Sequence, residues 1–368
     1  ETTRVVLLVA PNDCQTRAEA ACGKRRSVHP LEPASGPVRP KTLVTGAAGF
    51  IGSHLVTELL ARGHQVVALD DLSGGFRSNI DERATFVRGS ILDTALLDRL
   101  FDDQRFDYVF HLAAYAAEGL SHFIKRFNYE NNLIGSVNLL NASINHQVRC
   151  FVFTSSAAVY GHTPSPLTEE TPTAPADPYG VAKSAVEQEL RISREVFGLP
   201  YIVFRPHNVY GERQNLGDRY RNVVGIFMNQ ALRGEPLTIF GDGTQTRGFT
   251  HVDDVAPVIA QSIERPEAYG QVFNVGSDRP VTLNELGETV SRAMGVAFRP
   301  RYLPARPEVA HVQASHAKAH ALLGYRCHVG LEEGVSAMAI WAKQVGARES
   351  KSFGTIEIER NLPPSWRD

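Results

Sequence analysis

Cysteine is scarce and scattered. The 368-residue chain holds four, Cys14, Cys22, Cys150 and Cys327, without the density of a disulfide scaffold or the spacing of a metal-ligand set. A reducing cytoplasmic setting is therefore expected, and no metal. An excess of one charge is also missing. Lys and Arg number 38 against 40 Asp and Glu, for a formal net charge of −2, so neither nucleic acid nor a membrane surface is expected as the main partner. No apolar run approaches the ~20 residues of a membrane span. The opening VVLLVA is shorter than most signal-peptide cores and lacks a strong basic lead-in. What the chain does have is a hydrophobic content of 43%, enough for one large domain or two that share an interface.

Residues 1–38 read as an N-terminal extension and linker: a possible strand at 4–10, a basic spot GKRRS, then the Pro- and Ala-rich HPLEPASGPVRP. From Lys41 the rhythm changes. Short apolar runs (KTLVTG, QVVALD, TFVRG, DYVFHLAA, RCFVFTSS, YIVFRP) alternate with helix-length segments such as 50–62 and 179–196. Apolar strands without strict alternation, separated by helices, indicate a parallel sheet covered on both faces. The fold class expected is α/β, a doubly wound parallel sheet of Rossmann type with a smaller C-terminal substrate domain. The corresponding division is a dinucleotide-binding domain over 39–205, rejoined near 251–275, and a substrate-binding domain over 206–250 and 276–368.

TLVTGAAGFIGSH sets Gly46, Gly49 and Gly52 between the first strand and the first helix. Glycines there let the backbone turn tightly and approach a pyrophosphate, while the helix N-terminus offers free N–H groups and positive dipole. Asp70 closes the next strand, where an acid can accept hydrogen bonds from an adenosine ribose and would repel a 2′-phosphate. Arg77 follows only after LSGG, so NAD is preferred to NADP.

PYGVAKSAVE places Tyr179 and Lys183 one helical turn apart behind Asp177-Pro178, a good helix start. Upstream, the strand RCFVF runs into TSSAAVYG, where α/β sheets place their chemistry, with Ser156 near enough in sequence to share one cleft. Bringing a phenol from about pH 10 to near 7 needs about 4 kcal/mol of preference for the phenolate. A lysine in a site of intermediate dielectric supplies part of this, and a cationic nicotinamide more.

TGAAGFIG, HLAA (His111–Ala114), TSSAAVYG and YGVAK together resemble the extended short-chain dehydrogenase/reductase family, within it the nucleotide-sugar epimerases, over about Lys41 to Trp366. The resemblance implies Ser156, Tyr179 and Lys183 as the catalytic group, with Ser155 the second choice for the serine. It also implies a cofactor site of Gly46, Gly49, Phe50, Ile51, Gly52, Asp70, Leu112, Ala113, Ala114 and Asn132, shared with Tyr179 and Lys183. Relatives that eliminate water or decarboxylate resemble TDEVYG or TSEVYG; here the positions after Ser156 are Ala157 and Ala158. Simple hydride chemistry is left, and with it inversion at C4 of a UDP-sugar through a 4-keto intermediate, using a retained NAD.

For the nucleotide sugar the resemblance implies Asn208 in RPHNVYGERQN, Ile239 and Phe240 packing the base, Arg247 and Arg306 on phosphate, and Glu308 on ribose. Several positions depart from the pattern: Ser90 stands where an aspartate near adenine is usual and Asp93 cannot simply replace it, while Tyr115 and Glu118 occupy the loop beside the nicotinamide. Val312 falls about where a residue limits the sugar's substituent. UDP-glucose/UDP-galactose is the plain reading. UDP-glucuronate/UDP-galacturonate competes, because Arg213 could meet a carboxylate, as could Arg219 and Arg221 more weakly. A 4-keto-sugar reductase or dehydrogenase on the same scaffold is the alternative activity; a mere dinucleotide sensor would not be expected to keep Tyr179 and Lys183. By analogy with the family, a homodimer through helices within 122–145 and 179–196 is expected.

Overall fold

A computed structural model describes residues 39–305, 311–350 and 353–367; the extension with its expected strand, Cys14 and Cys22 lies outside the described residues. Six apolar runs form strands β1 (Lys41–Thr45), β2 (Gln65–Asp70), β3 (Thr85–Arg88), β4 (Tyr108–His111), β5 (Cys150–Thr154) and β6 (Tyr201–Pro206). Four short strands follow, β7 (Val209–Tyr210), β8 (Leu237–Phe240), β9 (Thr246–Gly248) and β10 (Thr250–His251), then β11 (Gln271–Val275), β12 (Pro280–Thr282) and β13 (Pro300–Leu303). The central sheet is seven-stranded in the order β11-β6-β5-β4-β1-β2-β3. All its pairings are parallel.

The helices are α1 (Phe50–Ala61), α2 (Thr94–Gln104), the short α3 (Glu118–Ser121) and α4 (Lys125–Tyr129), α5 (Gly135–Asn145), α6 (Pro178–Phe197), α7 (Val223–Leu232), α8 (Val252–Gln261), α9 (Leu283–Met294), α10 (Ala317–Leu323) and α11 (Leu331–Val345). Strand pleating explains why the apolar runs are continuous. Val44, Ala68 and Val152 point to the layer of α1 and α8, whereas Leu43, Val67, Phe151 and Phe153 point to that of α2, α5 and α6. With both faces covered, alternate positions are equally apolar. β11, a short run with no periodic signal, joins the sheet edge beside β6.

A separate core gathers Leu237 and Ile239 of β8 with Phe227 and Met228 of α7, Leu286 and Val290 of α9, and Val335 and Met338 of α11. Strand order reverses between β1 and β4, and a crevice opens there at the carboxyl ends of the strands.

Candidate active site

The glycine turn stands at that reversal. Gly46 has φ +69°, and a Cβ on it would lie 2.6 Å from Ala113 N; one on Gly52 would lie 2.1 Å from Gly46 O. Neither position can take a side chain without moving backbone. Gly49 caps α1 in extended conformation with no side-chain acceptor on the first-turn N–H groups, which leaves them for an anion. Asp70 ties this turn to the end of β2: its carboxylate accepts from Ala48 N at 2.9 Å and from Leu72 N at 2.8 Å. Burial raises its pKa against those hydrogen bonds.

Gly46, Gly49, Phe50, Ile51, Gly52, Asp70, Leu112, Ala113 and Ala114 all line a cleft of about 1180 Å³ that continues to Ser156, Tyr179 and Lys183. A glycine cradle that no Cβ can enter, an acid at the second strand and a cleft of this size fit a dinucleotide. Asn132 departs from expectation. It is buried, exchanges hydrogen bonds with Tyr115 N and O, and donates to Asn128 Oδ1. It braces the loop after β4, and its neighbour Asn131 is the one at the cleft wall. Ser90 also lines the cleft, while Asp93 caps α2 by accepting from Leu96 N.

Asp177 caps α6 by accepting from Gly180 N at 2.9 Å, so Pro178 and Tyr179 begin the helix against the end of β5. Ser156 and Tyr179 both line the cleft, and Ser156 Oγ accepts from Ala158 N at 3.1 Å. Lys183 Nζ donates to Thr154 O at 2.8 Å and lies 4.6 Å from the centre of the Phe153 ring and 5.8 Å from that of Tyr179. Burial depresses Lys183 to about 7, opposed by the charge of Glu187. The phenol of Tyr179 moves the other way. Burial pushes it above its ordinary range, Glu118 adds to the rise, and the Ser156 hydroxyl and Arg221 oppose it. The protein's own groups therefore do not make this phenol acidic; desolvation outweighs the Ser156 hydroxyl and Arg221. Ser155, the second choice for the serine, donates a hydrogen bond to Glu187 Oε1 at 2.5 Å. His111 is held between Thr45 Oγ1 and Ser136 Oγ, and burial and Lys183 drive it down to about 3. It is neutral framework.

On the opposite wall, Asn208 lines the cleft with its Nδ2 on Gly248 O. Arg247 of β9 lines it as well, as does Val312. Ile239 corrects the expectation: with two-residue alternation, Leu237 and Ile239 of β8 enter the core while Thr238 and Phe240 face the cleft. Arg213 is at the cleft wall, but its Nη1 donates to Ser53 O and Thr57 Oγ1 of α1. Arg306 and Glu308 lie outside the described residues. Gln245, Asp218 and Trp366 at the cleft wall carry no sequence signal. Trp366 arrives from the far end of the chain, packed on Phe123 and Tyr220. Among the described residues, no group of three or more His, Cys, Asp or Glu could hold a metal ion.

Residues 42–276 match the model of the NAD dependent epimerase/dehydratase family. The chain belongs to that family. A UDP-glucose 4-epimerase of Mycolicibacterium smegmatis is 38% identical over 304 residues, 80% of this chain and 96% of the relative. Among solved structures, the UDP-glucose 4-epimerase of Thermotoga maritima with UDP-glucose superposes with a TM-score of 0.80 at 37% identity, over 83% of this chain and 99% of that one. The UDP-glucuronic acid 4-epimerase of Bacillus cereus, in complex with UDP-glucuronic acid and NAD, superposes with a TM-score of 0.76 at 33% identity, again over 83% and 99%.

Proposed function

We propose that this member of the family inverts C4 of a UDP-sugar through a 4-keto intermediate, with Tyr179 as the proton-transferring group. One observation carries the reading. Ser156 and Tyr179 stand together in the glycine-lined cleft, and the two positions after the serine, Ala157 and Ala158, line the same cleft without an acid. Elimination of water from the sugar would need an acid there; proton transfer at one hydroxyl does not. NAD would be held by the turn Gly46–Gly52, Asp70 and the Leu112–Ala114 segment, and would supply a reversible hydride acceptor and a positive charge that favours the phenolate. Tyr179 Oη takes the proton from the C4 hydroxyl and returns it after the keto sugar has presented its other face. Ser156 Oγ orients the same oxygen. Lys183 adds positive charge behind the ring.

The hexose pair UDP-glucose/UDP-galactose is favoured. Relatives at 37–38% identity carry that name, and Arg213, the expected reader of a carboxylate, has Nη1 committed to α1. Arg247, Asn208 and Phe240 are assigned to the nucleotide. Purified protein without added cofactor should interconvert UDP-glucose and UDP-galactose over many turnovers, followed by chromatography, with UDP-glucuronate and UDP-N-acetylglucosamine run beside it. Turnover that stops at one equivalent would instead make it a net oxidoreductase.

A homodimer belongs to the same proposal. Val181, Ile192 and Val196 form an exposed apolar stripe on α6, and Ile134 stands exposed just before α5; a helix face of this kind suits a paired copy. Val196→Glu should shift the mass in light scattering to a monomer. A reducing cytoplasmic location suits the buried Cys150 and unpaired Cys327. Among the described residues, no helix is long and apolar enough to cross a membrane.

A further inference from the structure

Three successive residues at the end of β5 meet three residues of α6 spaced one turn apart. Thr154 O accepts from Lys183 Nζ, Ser155 Oγ donates to Glu187 Oε1, and Ser156 lines the cleft with Tyr179. Residues 179, 183 and 187 share one stripe of the helix. Two rungs of this ladder belong to the catalytic group assigned above. The third, Ser155–Glu187, has no part in that chemistry, yet it is the most heavily built.

Arg205 of β6 forks onto Glu187, Nε to Oε1 at 3.0 Å and Nη2 to Oε2 at 2.5 Å, with side chains only 5% and 8% exposed. Its Nη1 donates to Tyr160 Oη, which donates in turn to Asn274 Oδ1 of β11. A buried ion pair is a poor way to gain stability, since desolvating both charges consumes most of their attraction, whereas it defines geometry well. This one joins β5, β6, β11 and α6 at the point where two catalytic elements meet.

We propose that Glu187 is a positioning residue: anchored by Arg205, it holds the Ser156-bearing end of β5 in register with the helix that carries Tyr179 and Lys183, and places a negative charge one turn behind Lys183. The inference rests on the epimerase reading for its activity assay, though not for its second readout. The charged and titratable groups around Lys183 are His111 from β4, Tyr179 and Glu187 from its own helix, and Arg205 from β6 behind Glu187. His111 is neutral and Tyr179 protonated in the protein's own field, which leaves Glu187 as the anion favouring the ammonium form. Removing its charge lowers the affinity of Lys183 for its proton.

The test uses the full-length holoenzyme with UDP-glucose. For Glu187→Gln, kcat should fall about tenfold with KM within about twofold, because only the reacting geometry is loosened, and the high-pH limb of kcat should move down by about one pH unit. Ser155→Ala keeps the charge and cuts the tie, so kcat should fall severalfold while the pH limb stays in place. In parallel, the 13Cε resonance of Lys183 should titrate at lower pH in Glu187→Gln than in the parent protein. This last measurement needs no turnover, so it still decides the coupling if UDP-glucose proves not to be a substrate. A folded Glu187→Gln protein with parental kcat, or one that loses kcat with its pH limb and Lys183 titration unmoved, overturns the proposal. Should Glu187→Gln fail to fold, undiminished kcat in Ser155→Ala overturns it.

Discussion

Lys183 Nζ lies 5.8 Å from the centre of the Tyr179 ring and donates to Thr154 O, so the ammonium group stands near the phenol while anchored to the end of β5. This arrangement separates two tasks. In the proposed mechanism Ser156 would meet the reacting oxygen, and Lys183 would contribute field and orientation from within the protein. The phenol is pushed up by burial in the protein's own field, so the positive charge of a bound oxidised nicotinamide would be needed to favour the phenolate.

Tyr179→Phe removes the proton-transferring oxygen and leaves the packing. kcat for UDP-sugar interconversion should fall by about 100-fold or more, with NAD still bound, as read by chromatographic turnover and by the cofactor content of the purified protein. Undiminished turnover would refute the assignment.

Lys183 gives a prediction about pH and stability. Its folded pKa of about 7 lies below the ordinary lysine value of 10.5. Between those values the unfolded chain binds a proton that the folded protein does not, so stability rises with pH across that window; below about 7 both forms hold the proton and the cost of burying the charge is fully felt. Lys183→Met removes this dependence. Its melting temperature relative to the parent, measured without added NAD from pH 6 to 9.5, should be most favourable at pH 6 and lose ground as pH rises. A constant offset would contradict the shift.

Adjacent residues of β8 should respond oppositely. Ile239→Ala opens a cavity in the second core and should cost about 2–5 kcal/mol in chemical denaturation, with KM little changed. Phe240→Ala leaves that core intact and should raise KM for the UDP-sugar roughly tenfold through lost aromatic contact. An equal effect of both on KM would mean that the base is not packed by this strand.

The glycine turn is constrained by backbone and not by a flexible neighbour. Gly52→Ala would set a methyl 2.1 Å from Gly46 O, so the start of α1 must move. NAD affinity should fall about tenfold or more, measured by calorimetry on stripped protein, because a small displacement misaims every N–H in the cradle.

Repetition in one dimension made much of this protein legible from sequence. Apolar runs separated by helix-length segments foretold the six strands β1–β6 with α1 and α6, because each element's period is local. The glycine turn, Asp70 and the Tyr179–Lys183 spacing were legible for the same reason: chain geometry within a few residues decides them. Where the side chain's direction matters, sequence alone was not enough. Which of Ile239 and Phe240 faces the cleft depends on which side of β8 its own core covers, and Asn132 turned out to brace Tyr115 because the loop after β4 packs back on its helix. Arg213 was taken by α1. Trp366 reached the cleft through contacts with Phe123 and Tyr220, both far from it along the chain. The sequence thus determined the elements and the chemical groups they carry, since those follow from local backbone preference. Only the tertiary structure decided which groups share a cleft and what their surroundings do to their protons, since burial and alignment are properties of the packed whole.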